Sequence, residues 1–330
     1  MKLGYLGKAH YPPAVFPRFK ADADKCNRCG RCVRTCPTHV IFMDQEGPPR
    51  IQGYKGFEVA CLGCRNCVAV CPEDAVTVEG YYYVGEGLYK SAHVGRVELP
   101  NPFNAPEPPP FEEIQDKLTE TERVILKRRS NRLFMKKEVP DELIRRCLEA
   151  ARYAPTSGND RCWEFVVVRD RELIRWMERS SLKSLKLMSE YYLKPGSKAA
   201  RALWNLVAPW RPGDMDVRVI SGMDTVVLRD NLYFGAPVVI LVLHDRRGIG
   251  QPVLDAGIAA QNLVIAAHAL GLGTCYVGFI TALNSRPDKK LMKELGAVWP
   301  MRIATSIAIG WPQGKIDRVV PRDRPRVTWK

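Results

Sequence analysis

Two cysteine runs of identical spacing near the N-terminus limit what this part of the chain can fold into. They read Cys26-x-x-Cys29-x-x-Cys32-x-x-x-Cys36-Pro37 and Cys61-x-x-Cys64-x-x-Cys67-x-x-x-Cys71-Pro72. A zinc site needs only two C-x-x-C pairs and has no use for the third and fourth members. A disulfide framework is typical of small secreted domains, whereas this chain has 330 residues and 46% hydrophobic residues.

The spacing resembles the ligand run of bacterial ferredoxins with two [4Fe–4S] clusters. In that family three close thiolates hold one cluster, and the fourth, followed by proline, reaches across to the other. The resemblance implies two ligand sets: Cys26, Cys29, Cys32 and Cys71 for the first cluster, and Cys61, Cys64, Cys67 and Cys36 for the second. Thiols kept as metal ligands indicate a reducing cytoplasm, and we expect a cytoplasmic protein of an anaerobe.

Changes in composition divide the chain. Residues 1–84 are predicted to form the ferredoxin domain with an N-terminal extension, and residues 85–112 a proline-rich linker that ends in Pro108-Pro109-Pro110. Residues 113–330 alternate helical and strand patterns, which predicts an α+β domain. Within it, residues 180–222 are basic and contain two tryptophans, Trp204 and Trp210, and we expect an inserted helical lid.

The periodicity of the second domain predicts individual elements. We expect one helix over residues 112–129, a second from Pro140, a short helix over 172–176 and a buried helix over 251–270. Strands are expected at 165–168, 237–242, 274–278 and 303–310. The apolar stretch 256–280 is long enough for a membrane span, but its polar residues and glycines favour a buried helix followed by a strand.

Two arginines and a serine lie where the first of these helices is expected to end. Arg128, Ser130 and Arg132 stand at positions i, i+2 and i+4, and guanidinium and hydroxyl groups so placed can bind a phosphate with charge-assisted hydrogen bonds. A basic helix end also complements the helix dipole without any ligand.

Further segments make the resemblance specific, and residues 113–330 are identified as a member of the FMN-dependent nitroreductase family. Residues 128–132, Arg-Arg-Ser-Asn-Arg, resemble its first flavin-phosphate motif, and residues 154–163 resemble its Pro-Ser-Ser-x-Asn-x-Gln-Pro-Trp loop. Residues 235–237 resemble its Ala-Pro strand, 255–274 its central helix and turn, and 309–312 its Gly-Tyr-Pro segment. Arg161 and Cys162 depart from the pattern, because Gln-Pro is usual there.

The resemblance implies a central mixed sheet flanked by helices, in a domain-interlocked homodimer with FMN at the interface. No catalytic side chain is expected, because the flavin carries the chemistry. The implied cofactor-binding residues, some of them from the partner subunit, are Arg128, Ser130, Arg132, Pro155, Thr156, Ser157, Asn159, Gly271, Leu272, Gly273 and either Arg322 or Arg324. Asp255 could simply cap or anchor its helix, and His268 is expected to be a core or interface histidine.

The formal net charge is +14 and the isoelectric point is near 9.3. No nucleic-acid motif accompanies this charge, so a nucleic-acid partner is not expected. Binding of the basic segment 180–222 to a membrane surface is a weaker alternative. A basic face suits an acidic electron carrier such as ferredoxin or flavodoxin, and four arginines of the cysteine runs fit that role. They are Arg28, Arg31, Arg34 and Arg65.

These features predict an oxidoreductase that takes electrons from an external low-potential donor, or from NAD(P)H. The electrons would pass through two [4Fe–4S] clusters to FMN, which would reduce a nitro compound, a quinone or an activated alkene. Two alternatives stay open at this point. One is a flavoenzyme that oxidises its substrate and passes electrons out to ferredoxin, and the other is a non-catalytic electron-transfer module of a larger complex.

Overall fold

The computed structural model describes residues 14–15, 17–51, 61–80, 83–84, 97–193, 231–314, 317–324 and 327–330. The chain divides into two compact units. The first comprises Met1–Thr119, Lys186–Leu228 and Arg318–Lys330, and the second comprises Glu120–Leu185 and Arg229–Asp317. Most of the N-terminal extension, residues 85–96 of the predicted linker and the predicted lid beyond Leu193 lie outside the described residues.

The elements are numbered in chain order. The strands are β1 Ala14–Val15, β2 Arg18–Ala21, β3 Ile41–Phe42, β4 Arg50–Ile51, β5 Val76–Glu79, β6 Tyr83–Val84, β7 Val97–Glu98, β8 Trp163–Val168, β9 Val238–Asp245, β10 Gly273–Tyr276, β11 Met301–Gly310 and β12 Arg322–Asp323. The α-helices are α1 Arg31–Thr35, α2 Asn66–Ala69, α3 Phe111–Ile114, α4 Glu120–Lys127, α5 Asp141–Arg152, α6 Arg171–Leu193, α7 Pro252–Ala269 and α8 Lys289–Glu294.

Short antiparallel strand pairs frame the first unit. Strand β2 pairs with β5, and β3 pairs with β4. The small core between them consists of cysteines from both runs and aliphatic side chains, namely Cys32, Cys36, Cys67, Val40, Ile41 and Val76. The C-terminal strand β12 pairs with β7. Because the cysteines supply much of this core, whatever the thiols bind must also stabilise the unit.

A four-stranded sheet in the order β10-β11-β9-β8 forms the centre of the second unit, and its neighbours are antiparallel. Strand β9 is buried along seven of its eight residues, as expected for its nearly continuous apolar sequence. Helix α7 is apolar almost all round, and its alanines allow close packing beside α5 in the same core. At the sheet edge, Ser130 and Thr274 form a parallel bridge.

Two helix predictions differ from the structure. The helix expected over 112–129 is broken into α3, a 3-10 turn and α4, because Leu118 is extended (ψ 146°). Thr119-x-x-Glu122 has the capping-box spacing, which explains why a new helix begins there. The short helix expected over 172–176 is instead the 23-residue α6.

The long buried helix was predicted correctly, and it is followed by strand β10. Within the described part of the chain, no helix combines the length and the apolar character that a membrane span requires.

Candidate functional site

The structure brings four thiols of the first unit together around a narrow cleft. Cys26, Cys29, Cys32 and Cys71 all line it, with Met43 and Val76 among the apolar residues beside them. Burial, and then the neighbouring thiols of Cys29, Cys71 and Cys26, raise the pKa of Cys32 to about 11. Cys71 therefore lies with the first run, although it belongs to the second run in sequence.

The other four thiols form a second group, in which one cysteine of the first run joins three cysteines of the second run. Burial and the thiols of Cys64, Cys36 and Cys61 raise the pKa of Cys67 well above its usual value. Burial likewise raises the pKa of Cys61 to about 11, and the charge of Arg65 acts against this rise. Cys36 thus lies beside the second run.

Each group contains the four thiols that a [4Fe–4S] cluster requires. Within the described residues, no three His, Cys, Asp or Glu side chains are placed to hold one metal ion. A four-iron cluster distributes its thiolates over four separate iron atoms, so its ligands stand farther apart than those of zinc. Cys32, Cys61 and Cys67 have raised pKa values, so their thiolates need a bound cation to form at neutral pH.

The predicted phosphate motif lies against the glycine turn of the second unit. The amide N–H of Asn131 donates to the carbonyl of Thr274 at 2.7 Å. Gly273 has no room for a side chain, because a Cβ there would lie 2.9 Å from Cγ of Asn131. This close approach brings Arg128, Ser130 and Arg132 beside Gly271, Leu272 and Gly273, so both segments can contact one anionic ligand.

The predicted flavin loop is held in place by a buried carboxylate. Asp255 is 3% exposed, and its Oδ2 accepts a hydrogen bond from the amide N–H of Ser157 at 3.0 Å. The loop itself, Pro155 to Asn159, ends in a 3-10 turn. Asp255 therefore anchors the loop. It is the only charged residue of α7, which is the signal for this role in the sequence.

Helix α7 separates these two groups of flavin residues within one chain. Asp255 lies in its first turn, whereas Gly271, Leu272 and Gly273 follow its last residue. The 14 helical steps from Asp255 to Ala269 span about 21 Å at 1.5 Å per residue. The predicted flavin loop and the predicted phosphate motif therefore lie near opposite ends of α7.

The remaining predicted flavin residues lie in the first unit. Arg322 is part of β12, and Nε of Arg324 forms an ion pair with the carboxylate of Glu98. That one of them closes the phosphate site stays a prediction. His268 is half-buried, and burial together with the charges of Arg128 and Arg129 lowers its pKa.

Two arginines have roles that sequence reasoning missed. Arg318 donates to the carbonyls of Val68 and Cys71, each at 3.4 Å, and so fastens the C-terminal segment to the second cysteine run. Arg65 was expected on a docking surface, but this is wrong because only 8% of it is exposed. Its guanidinium donates instead to the carbonyls of Gly63 and Gly80.

Comparison with protein families gives two matches. Residues 125–311, more than half of the chain, match the nitroreductase family, and residues 25–75 match the 4Fe-4S dicluster domain. Both resemblances predicted from the sequence are thereby confirmed, as is the α+β fold class. The matches also support an oxidoreductase with FMN and [4Fe–4S] clusters as cofactors.

Individual relatives cover one domain each. A chloronitrobenzene nitroreductase of Comamonas testosteroni is 28% identical over 197 residues, which cover 57% of this chain and 85% of the relative. A ferredoxin of Pyrobaculum islandicum is 28% identical over 107 residues, covering 29% of this chain and 95% of the ferredoxin. The crystal structure of a nitroreductase with bound FMN from Desulfitobacterium hafniense is 25% identical, with a TM-score of 0.47, and covers 64% of this chain and 99% of that one.

The exchange of Cys36 and Cys71 between the groups leads to a prediction about cluster loss. Cys36→Ser and Cys61→Ser should each remove the second cluster, whereas Cys71→Ser and Cys32→Ser should each remove the first. Each variant should retain about half of the iron, because one complete ligand set remains. Iron analysis and EPR spectra of the reduced variants measure this. If the spectrum of Cys36→Ser matched that of Cys32→Ser, the exchange would be refuted.

Proposed function

We propose that this chain is an FMN-dependent reductase that receives its electrons through its iron–sulfur clusters. The chain belongs to the nitroreductase family, and it joins that domain to a 4Fe-4S dicluster domain. Its substrate is a small organic electrophile: a nitro compound, a quinone or an activated alkene. When bound, the clusters carry single electrons and FMN supplies two-electron chemistry. The presence of both domains in one polypeptide is the observation that carries this proposal.

The chain's own residues bind and orient the cofactors in this proposal. The cationic side chains of Arg128 and Arg132 hold the FMN phosphate beside the glycine turn. Asp255 fixes the loop that carries Ser157 against the flavin. The apolar side chains around the thiols keep water from the clusters, which helps to set their potentials.

The proposed enzyme is a homodimer whose flavin sites each use both chains. The separation of the flavin loop from the phosphate motif along α7 supports this arrangement. Large apolar side chains are also exposed near the start of α7, with Val253 at 56%, Leu254 at 55% and Ile249 at 59%. Such a patch beside the flavin loop suits burial against a second copy.

Shared sites make a prediction for mixed dimers. Arg132→Ala removes a phosphate contact and Asp255→Ala releases the flavin loop, so each homodimer should lose most of its activity. A heterodimer of these two variants, purified through two different tags, should recover about half of wild-type activity, because one of its two sites is assembled from unaltered parts. Steady-state turnover of the purified heterodimer is the measurement.

The matched control carries the same two substitutions in one chain. Paired with a wild-type chain, that double variant should be nearly inactive, because each site then contains one altered part. The opposite pattern, with an active control and an inactive mixed heterodimer, would show that each chain builds its own site.

The electron supply is tested by comparing donors under anaerobic conditions. Reduced ferredoxin should support turnover of a nitroaromatic substrate, and Cys32→Ser should lower that turnover at least about tenfold, because one cluster is lost while the FMN site is intact. The control Cys147→Ala removes a buried thiol that lies outside both groups, and should keep its turnover. Turnover with reduced ferredoxin that Cys32→Ser leaves undiminished would rule out electron supply through the clusters.

A further inference from the structure

The two cysteine runs have matching backbone conformations on either side of their second cysteine. The arginine and the glycine that flank this cysteine, however, exchange places between the runs. In the first run, Arg28 precedes Cys29 and Gly30 follows it, whereas in the second run Gly63 precedes Cys64 and Arg65 follows it. All four exchanged residues have positive φ, between 53° and 69°. The left-handed conformation is thus kept in both runs, and only the position of the arginine differs.

The exchange places one arginine in solvent and buries the other. Arg28 is exposed and donates to the carbonyls of Asp44 and Gln45, at 2.7 and 2.9 Å. Arg65 is buried, and its guanidinium donates to the carbonyl of Gly63 at 3.2 Å and to that of Gly80 at 2.7 Å. A guanidinium keeps its charge when buried, so the second group of thiols has a fixed cation inside the protein beside it.

A buried cation acts more strongly on a cluster than an exposed one. Reduction adds one negative charge to a cluster, and a nearby positive charge favours the reduced form. Solvent and salt screen the charge of Arg28, whereas the charge of Arg65 acts through the less polarisable interior. The two clusters should therefore differ in their affinity for an electron, although their ligands are the same.

We propose that Arg65 gives the cluster of Cys61, Cys64, Cys67 and Cys36 the higher reduction potential, so that a single electron entering the first unit comes to rest there. Arg65 acts as a tuning residue and takes no part in ligation. This inference depends on the presence of both clusters, and it holds for either direction of electron flow and for any substrate.

The test is an anaerobic redox titration of the full-length holoprotein, monitored by EPR without substrate. The wild type should show two separated midpoint potentials. Arg65→Gly places in the second run the residue that the first run has at the equivalent position, without backbone strain. It should lower the higher midpoint potential by about 59 mV. For a one-electron couple this shift changes the equilibrium distribution of the electron between the two clusters about tenfold.

Three further variants separate charge from loop structure. Arg28→Gly is the matched control and should move either midpoint much less than Arg65→Gly does. Arg65→Lys should keep most of the separation because it keeps the charge, whereas Arg65→Gln should lose it. The proposal is overturned if Arg28→Gly causes the larger shift, if Arg65→Gly leaves both midpoints in place, or if Arg65→Lys and Arg65→Gln behave alike.

Discussion

The cost of ionising clustered, partly buried thiols, which comes chiefly from lost solvation, is the constraint on which the first unit depends. Eight thiols are gathered into two groups within a short stretch of chain, and burial raises the pKa of Cys32 and of Cys61 to about 11. Such groups ionise together only when cations lie between them, so binding of iron and folding of this unit are coupled. The exchange of Cys36 and Cys71 ties the runs together, because neither ligand set is complete without the other run.

In the second unit, helix α7 sets the distance between the two predicted parts of the flavin site. It holds the flavin loop at one end through Asp255 and places the glycine turn and the phosphate motif at the other. Helix α7 has 18 residues, so it keeps the predicted flavin loop and the predicted phosphate motif near its opposite ends. This separation supports the proposed homodimer, in which each flavin site would use both chains.

The sequence predicts those parts of the site whose chemistry is local. Cysteine spacing alone identified the metal-binding runs, because few other structures need four thiols and a proline at these intervals. The long helix and the central strands were also predicted, since their apolar patterns are long and regular. By contrast, the sequence does not show that Arg65 is buried and Arg28 exposed. The burial of Arg65 depends on the carbonyl of Gly80, which lies in a loop fifteen residues away.

Other features escaped prediction for similar reasons. The extent of α6 beyond residue 176 is supported by packing, for example by the hydrogen bonds of Trp176 and Ser180 to Asp288, more than a hundred residues later. The sequence allowed Asp255 to be a helix cap or an anchor, because its partner Ser157 lies 98 residues away. A chain read in order shows which residues can do chemistry, but tertiary contacts decide which of them do.

The central claim is that electrons reach the flavin through the clusters. Anaerobic rapid mixing of the oxidised holoprotein with reduced ferredoxin, followed at wavelengths that separate cluster from flavin absorbance, tests this most directly. The account predicts that the clusters bleach first, and that flavin reduction then follows as they are reoxidised. Flavin that bleaches before the clusters, at a rate unaffected by Cys32→Ser, would contradict it.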